Sequence, residues 1–155
     1  MRKLSGGYHF SNIDLDSAYN QIALGTISQK RRALSTHKGV LLQKRLPFGI
    51  KSAPGYFQQI MNQLQGDLPG VAIYFDDILI SGNNRNNRVD NLRAVLQRLS
   101  LNGLRCNQEN CEFAKPEISY LGFTLSANGI SKGPKASAIE KMPEPKNLTQ
   151  LKSFL

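Results

Sequence analysis

Apolar and polar positions alternate over most of Tyr8-His9-Phe10-Ser11-Asn12-Ile13-Asp14-Leu15, which predicts a half-buried strand ending near Asp14. Asp16-Ser17-Ala18-Tyr19-Asn20-Gln21-Ile22 then offers a cap in Asp16 or Ser17 and no Gly or Pro, which predicts a short helix. Asp14 would stand at the strand-to-helix corner. Ala33–Thr36, Val40–Gln43 and Lys44–Leu46 read as short strands around a turn at His37-Lys38-Gly39. Leu46-Pro47-Phe48-Gly49 is rich in breakers and predicts a loop. A helix follows from about Ser52, with Pro54 in its first turn and Phe57, Ile60, Met61 and Leu64 on one face; Gly66 and Pro69-Gly70 end it.

The pattern then breaks its own rule. Tyr74-Phe75-Asp76-Asp77 sits between Val71-Ala72-Ile73 and Ile78-Leu79-Ile80, two carboxylates inside an apolar run. An ionised carboxylate in an apolar strand is strongly unfavourable unless paired or metal-bound, so both aspartates are expected at the tip of a hairpin. Two-residue turns favour Asn-Gly, Asp-Gly or Gly-X, so Asp-Asp is a poor choice for turning alone. A plain turn and a rigid metal-binding pair are about evenly weighted on local sequence.

Beyond Gly82, the polar Asn83-Asn84-Arg85-Asn86-Asn87-Arg88 reads as a loop, and Val89, Leu92, Leu96 and Leu99 repeat at helical spacing until Asn102-Gly103. Ile118 to Leu125 alternates loosely around Gly122 as one strand, and Gly129 and Pro134 punctuate the chain beyond it. Leu148, Leu151, Phe154 and Leu155 begin an amphipathic helix that the chain end cuts short. Strands and helices in mixed order, without regular βαβ alternation, predict an α+β domain.

Composition changes this picture in one direction. The 155 residues suit one domain, and 40% hydrophobic content is ordinary for a globular protein. The longest apolar stretches are about five residues, too short to span a bilayer, and no secretory segment opens the chain, so an intracellular protein without a membrane partner is expected. A formal charge of +9 favours a polyanion such as nucleic acid. Lys30-Arg31-Arg32 with Lys38, Lys44 and Arg45 is the densest basic region, and a solvated loop or strand edge is its plain reading. Cys106 and Cys111 lack a zinc spacing and read as reduced core thiols; His9 and His37 stand alone and carry no chemistry.

Asp14 completes the candidate chemistry. If its strand neighbours the hairpin, three carboxylates meet, and divalent cations are the simplest way to keep them ionised together. Magnesium fits an all-oxygen set, and two such ions about 3.5–4 Å apart serve in-line phosphoryl displacement.

Three ordered motifs carry a resemblance. Phe10-Ser11-Asn12-Ile13-Asp14-Leu15-Asp16-Ser17-Ala18-Tyr19, Leu46-Pro47-Phe48-Gly49-Ile50-Lys51-Ser52-Ala53-Pro54 and Tyr74-Phe75-Asp76-Asp77-Ile78-Leu79 resemble the gypsy-like LTR-retrotransposon reverse transcriptases. Glu112-Phe113, Tyr120-Leu121-Gly122-Phe123 and the stretch from Pro145 to Leu155 extend it over essentially the whole chain. The resemblance implies a palm-type antiparallel sheet packed on helices, with part of the fingers and only the start of the thumb and connection. Residues 1–155 would be a partial reverse transcriptase domain, truncated at its C-terminus.

By the same resemblance, Asp14, Asp76 and Asp77 are catalytic and hold two Mg2+ ions, for which Mn2+ substitutes, with the Leu15 carbonyl as a further ligand. Leu15, Asp16, Ser17, Ala18, Tyr19, Phe48 and Gly49 would line the nucleotide site, with Tyr19 as a steric gate against the ribose 2′-hydroxyl. Tyr74 and Phe75, with Tyr120, Leu121 and Gly122 of a primer-grip hairpin, would touch the primer; a plain strand with a glycine bulge is the competing reading of the latter three. The implied reaction is RNA-directed and DNA-directed DNA synthesis, attack of a primer 3′-hydroxyl on a deoxynucleoside triphosphate. Its partners would be an RNA or DNA template with primer, the dNTP, and the ribonuclease H and integrase regions of a Pol polyprotein. Cytoplasmic particles with later nuclear entry are expected of the family. Two departures stand out: Asn110 where many relatives carry a lysine, and the bulky Phe75 before the acid pair. The competing readings are a co-opted, non-catalytic nucleic-acid-binding remnant and a metal nuclease using the same acids.

Overall fold

The computed structural model describes residues 7–134, and the amphipathic helix expected near Leu148 lies outside them. The strand expected around Ile13 forms as β1 (Phe10–Asp14), and the apolar runs flanking the acid pair form β4 (Val71–Tyr74) and β5 (Asp77–Ile80). With β6 (Glu112–Lys115) these make a four-stranded antiparallel sheet in the order β4-β5-β1-β6. β1 is therefore internal and pairs on both sides.

Alternation along β1 and β5 serves two cores. Ile13, Ile78, Ile80 and Val71 join Phe57 and Met61 of α2 (Ala53–Gln65) and Val95 and Leu99 of α3 (Arg85–Leu101). Phe10 and Leu79 join Ile118, Tyr120 and Leu125 in a second cluster. That second cover is a meander of β7 (Glu117–Tyr120), β8 (Phe123–Ser126) and β9 (Gly129–Lys132). Ile78, Leu79 and Ile80 are all fully buried because the sheet is covered on both faces, which is why they read as an unbroken apolar run.

The remaining elements form beside the sheet. A single 3-10 turn (Ala18–Gln21) stands where a short helix is expected, with Ser17 at its N-cap position in the left-handed region (φ 46°). Ser17 makes no cap bond, its hydroxyl donating instead to Asp16. α1 (Thr26–Arg31) carries Lys30 and Arg31 in its last turn, so part of the basic region is helical rather than loop. β2 (Ala33–Thr36) and β3 (Gly39–Leu42) make the expected hairpin. Lys44–Leu46 is not a strand: Arg45 bridges Ala23 alone, and Pro47 brings no N–H to continue a ladder.

Three further expectations change. α3 starts within the polar Asn-Arg run because the Asn84 side chain caps it, accepting from Asn87 N at 2.8 Å. Its buried face is Asn91, Val95 and Leu99, while Val89 and Leu96 are each 39% exposed. Asn91 owes its burial to a bond from Nδ2 to Ser81 O at 2.8 Å, which closes α3 onto the end of β5. Ile118–Leu125 is two strands rather than one, since Leu121 (φ 51°) and Gly122 (φ 80°) form the two-residue turn that primed hairpins require. β6 is a short exposed edge strand with a register shift; Ala114 takes a φ of 53° and donates to Ser11 Oγ at 3.1 Å. Cys106 and Cys111 are half-buried free thiols packed against the main core, and both histidines are exposed.

The corrected face of α3 is testable by denaturant unfolding. Leu99→Ala, which empties a filled site, should cost about 2–5 kcal/mol. Leu96→Ala, at a solvated position, should stay within about 0.5 kcal/mol of wild type. Equal losses at the two sites would show that both helix faces are packed.

Candidate active site

Backbone pairing brings the three acids to one end of the sheet. Asp14, the last residue of β1, lies opposite Asp77, the first of β5, and Asp77 lies opposite Tyr74 across the hairpin. Residues directly opposite in an antiparallel pair share a face, so Asp14 and Asp77 project to the same side. Asp76 belongs to the two-residue loop Phe75-Asp76, not to the strand. Only one of the acid pair is thus at the tip. The left-handed position of this turn is filled by Phe75 (φ 52°), a conformation that side chains with a Cβ resist. Leu15 N donates to Asp76 O at 3.2 Å, tying the end of β1 to the loop.

The carboxylates have distinct surroundings. Asp77 is half-buried and its Oδ1 accepts from Asn12 Nδ2 at 3.2 Å. Burial pushes the Asp77 carboxyl above its ordinary pKa, Asn12 opposes that, and the charges of Asp76 and Asp14 push it further up. Asp14 Oδ2 accepts from Asn110 Nδ2 at 3.0 Å. Asp76 is exposed, and among the described residues no side chain hydrogen-bonds its carboxylate.

As the side chains stand, no three His, Cys, Asp or Glu residues among those described converge tightly enough to grip a metal ion. What the backbone supplies is an all-oxygen, mutually repelling set at one sheet end, the donor chemistry that suits a hard divalent cation. The Leu15 carbonyl is not used by the Leu15–Cys106 bridge, whose hydrogen bonds run from Asp16 N to Arg105 O and from Asn107 N to Asp14 O.

One wall of the site is aromatic. The Tyr19 ring meets Phe48 at 5.1 Å and Phe57 at 5.3 Å, both edge-on. The ring packs against the main core, and burial and then the charge of Asp76 raise the Tyr19 phenol pKa. Phe48 is exposed and Gly49 takes a φ of 81°, so the loop stands open above Tyr19. Asp16 and Ser17 are exposed at the corner after β1, whereas the Ala18 side chain is buried in the main core.

The opposite wall comes from the β7–β8 hairpin. Tyr120 is buried, its hydroxyl pushed up to about 12 by burial and then by the charges of Asp77 and Tyr74. Leu121 and Gly122 at the turn are exposed, and so is Tyr74, whose ring lies 4.4 Å from that of Phe75. Sequence patterns assign no role to Asn12 or Gln58. Asn12 has a signal in the alternation, two residues before Asp14 on the same strand face. Gln58 has none, because it sits on the polar flank of an ordinary amphipathic helix.

Residues 1–125 match the family model described as reverse transcriptase (RNA-dependent DNA polymerase). An uncharacterized protein, K02A2.6, of Caenorhabditis elegans is 38% identical over 96% of this chain and 12% of its own length. The retrovirus-related Pol polyprotein from transposon opus of Drosophila melanogaster is 34% identical over all of this chain and 16% of its own. The chain thus spans well under a fifth of the curated relatives it matches. Its fold is that of a foamy viral protease-reverse transcriptase solved with double-stranded DNA, at a TM-score of 0.85 and 24% identity over 97% of this chain and 27% of that one. An antiparallel sheet backed by helices is what that likeness describes, and the family match over residues 1–125 shows that the chain belongs to the reverse transcriptase (RNA-dependent DNA polymerase) family, with a retrotransposon Pol polyprotein among its relatives.

Proposed function

We propose that the chain is the palm-centred part of an RNA-directed DNA polymerase in which Asp14, Asp76 and Asp77 hold divalent metal for nucleotidyl transfer. The observation that carries this reading is the in-register opposition of Asp14 and Asp77, with Asp76 in the adjoining loop tied to Leu15. Such repulsion has no structural benefit, and it fits a site built to receive positive charge. Two Mg2+ ions, with Mn2+ as a substitute, would be held by the three carboxylates and the Leu15 carbonyl. When bound, they supply the charge that activates the attacking oxygen and stabilises the leaving one.

The chain's own residues position the reactants. Tyr19, braced by Phe57 and Phe48, presents a fixed ring where a nucleotide sugar would rest beside Asp76. Rigid support of that kind is what a steric gate needs, since a ring free to turn aside would admit a 2′-hydroxyl. Phe48 and Gly49 lie above it, and Asp16 and Ser17 offer polar groups at the same corner. Tyr74, Phe75, Leu121 and Gly122 would face the primer, whose 3′-hydroxyl attacks the α-phosphate of a dNTP and releases pyrophosphate. Template choice comes from base pairing, and exposed Lys30, Arg31, Arg32, Lys38, Lys44 and Arg45 suit contacts to phosphates. The double-stranded DNA held by the foamy viral protein supports a duplex partner here. Remaining Pol regions, ribonuclease H and integrase, would be the polypeptide partners.

The bond from Asn110 to Asp14 favours a second reading, a nucleic-acid-binding module that no longer polymerises. Here an amide engages one oxygen of the candidate ligand, at the position where the family resemblance leads to a lysine.

Magnesium-dependent primer extension on an RNA template separates the two. Asp76→Asn should lower extension by at least a hundredfold, the factor that about 2.7 kcal/mol in the barrier produces. Duplex binding without extension, unaffected by Asp76→Asn, would favour the second reading instead. Tyr19→Ala should raise ribonucleotide incorporation relative to deoxyribonucleotide, and unchanged sugar selectivity would refute the gate.

The repulsion also has a sign in stability. Because folding raises the Asp77 pKa, its ionised form costs stability at neutral pH, and that cost disappears as pH falls through the folded value towards the unfolded one. Asp77→Asn should therefore raise the thermal midpoint at pH 7, with the advantage shrinking on acidification as wild-type Asp77 takes up its proton. A variant less stable than wild type at neutral pH would show that the Asn12 bond outweighs burial and repulsion.

A further inference from the structure

The Phe75-Asp76 loop is held from two sides. On one side, β1 takes the Asp76 carbonyl through Leu15 N. On the other, Gln58 of α2 takes the loop itself. Its Oε1 accepts from Phe75 N at 2.8 Å, while its Nε2 donates to Ile73 O at 3.4 Å and to Asn62 Oδ1 at 2.9 Å. The amide thus spans Tyr74, touching backbone on both sides of it. Asn62, one helical turn further along α2, takes the Nε2 donor and so keeps Oε1 turned towards the loop.

That arrangement answers a specific difficulty. Phe75 is in the left-handed region, which a bulky residue leaves readily, and its N–H lies in a half-buried turn where an unpaired donor is unfavourable. Asp76 follows directly, exposed and with no side-chain hydrogen bond among the described residues. The position of its carboxylate is therefore set by the backbone of the loop and by little else. Phe57, the residue before Gln58, is fully buried against Tyr19. One turn of α2 thereby fixes both the aromatic wall and the acid loop.

We propose that Gln58 is the positioning residue of this site: its side-chain amide holds Phe75 in its left-handed conformation and so sets where the Asp76 carboxylate stands. Its consequence for catalysis rests on the metal-dependent transfer proposed above, whereas the pinning of the loop does not.

The test uses the whole chain with two substitutions. Gln58→Met keeps the length of the side chain and removes every hydrogen bond; Gln58→Glu keeps an acceptor for Phe75 N and loses the donor. Amide hydrogen exchange at Phe75 should quicken about tenfold in Gln58→Met, the factor a hydrogen bond of ordinary net strength is worth, and stay near wild type in Gln58→Glu. Titration with Mn2+ should show affinity falling by a similar factor in Gln58→Met, and in primer extension kcat should fall more than the KM for dNTP changes. Unchanged Phe75 exchange in Gln58→Met overturns the proposal, as does equal loss of protection in both variants. Faster exchange in Gln58→Met with retention in Gln58→Glu upholds the pinning even if the wild-type chain binds no Mn2+, an outcome that sinks the metal reading alone.

Discussion

Pairing of β1 with β5 is the constraint on which the rest of the structure depends. Its register runs from Ser11 opposite Ile80 to Asp14 opposite Asp77, so a single ladder fixes both cores and the acid cluster together. A slip of one residue would turn Ile13 and Ile78 away from the helices and send Asp14 and Asp77 into the main core. Burial on both faces forbids that slip, because the same side chains that would move are those most completely enclosed. The geometry of the site is thus specified by hydrophobic contacts that take no part in its chemistry.

The site itself works against this stability. Half-burying Asp77 beside Asp14 and Asp76 sets desolvation and like-charge repulsion against folding, with Asn12 and Asn110 providing partial relief. A left-handed phenylalanine and a left-handed serine stand at the two corners next to the acids, Phe75 on the hairpin and Ser17 after β1. Strain of this kind persists only where the surroundings over-determine it. Here they do so: backbone bonds from Leu15, Asp16 and Asn107 fasten the corner after β1, and Gln58 fastens the hairpin.

Much of this was legible in the sequence where periodicity and chemistry agreed. The strand ending at Asp14, the hairpin around Asp76, the helix through Phe57 and Met61, and the α+β class all follow from patterns that burial enforces. Illegible features were those decided by a partner elsewhere in the chain. The edge strand β6 has no alternating pattern because it is exposed throughout, and it pairs only because β1 offers it a free side. The start of α3 depends on one Asn84 cap inside a run that otherwise reads as loop, and its buried face includes Asn91 because Ser81 supplies an acceptor. The turn at Leu121-Gly122 does not follow from periodicity, because glycine inside an alternating run fits a bulge as well as a hairpin; the resemblance to a primer-grip hairpin is what points to it. Asp76 and Asp77, adjacent in sequence, differ in setting, one exposed in the loop and one half-buried on the strand, because the turn begins one residue earlier than the acid pair suggests.

α2 is where core and site meet. Its N-terminus follows the open Phe48-Gly49 loop, its next turn presents Phe57 to Tyr19 and Gln58 to the acid loop, and its last turn packs into the core through Met61 and the buried Gln65. The far end is fastened to α3 by Arg98, which donates to Leu64 O at 2.7 Å and forms a two-pronged pair with Asp67. Fixing a helix at one end while its other end lines the site converts core packing into positional accuracy at Tyr19 and Asp76. A loop alone would leave both free to drift, and a displacement of about 1 Å is enough to lose much of the benefit of orientation. The helix therefore belongs to the site as much as the acids do, although none of its side chains is itself a candidate metal ligand.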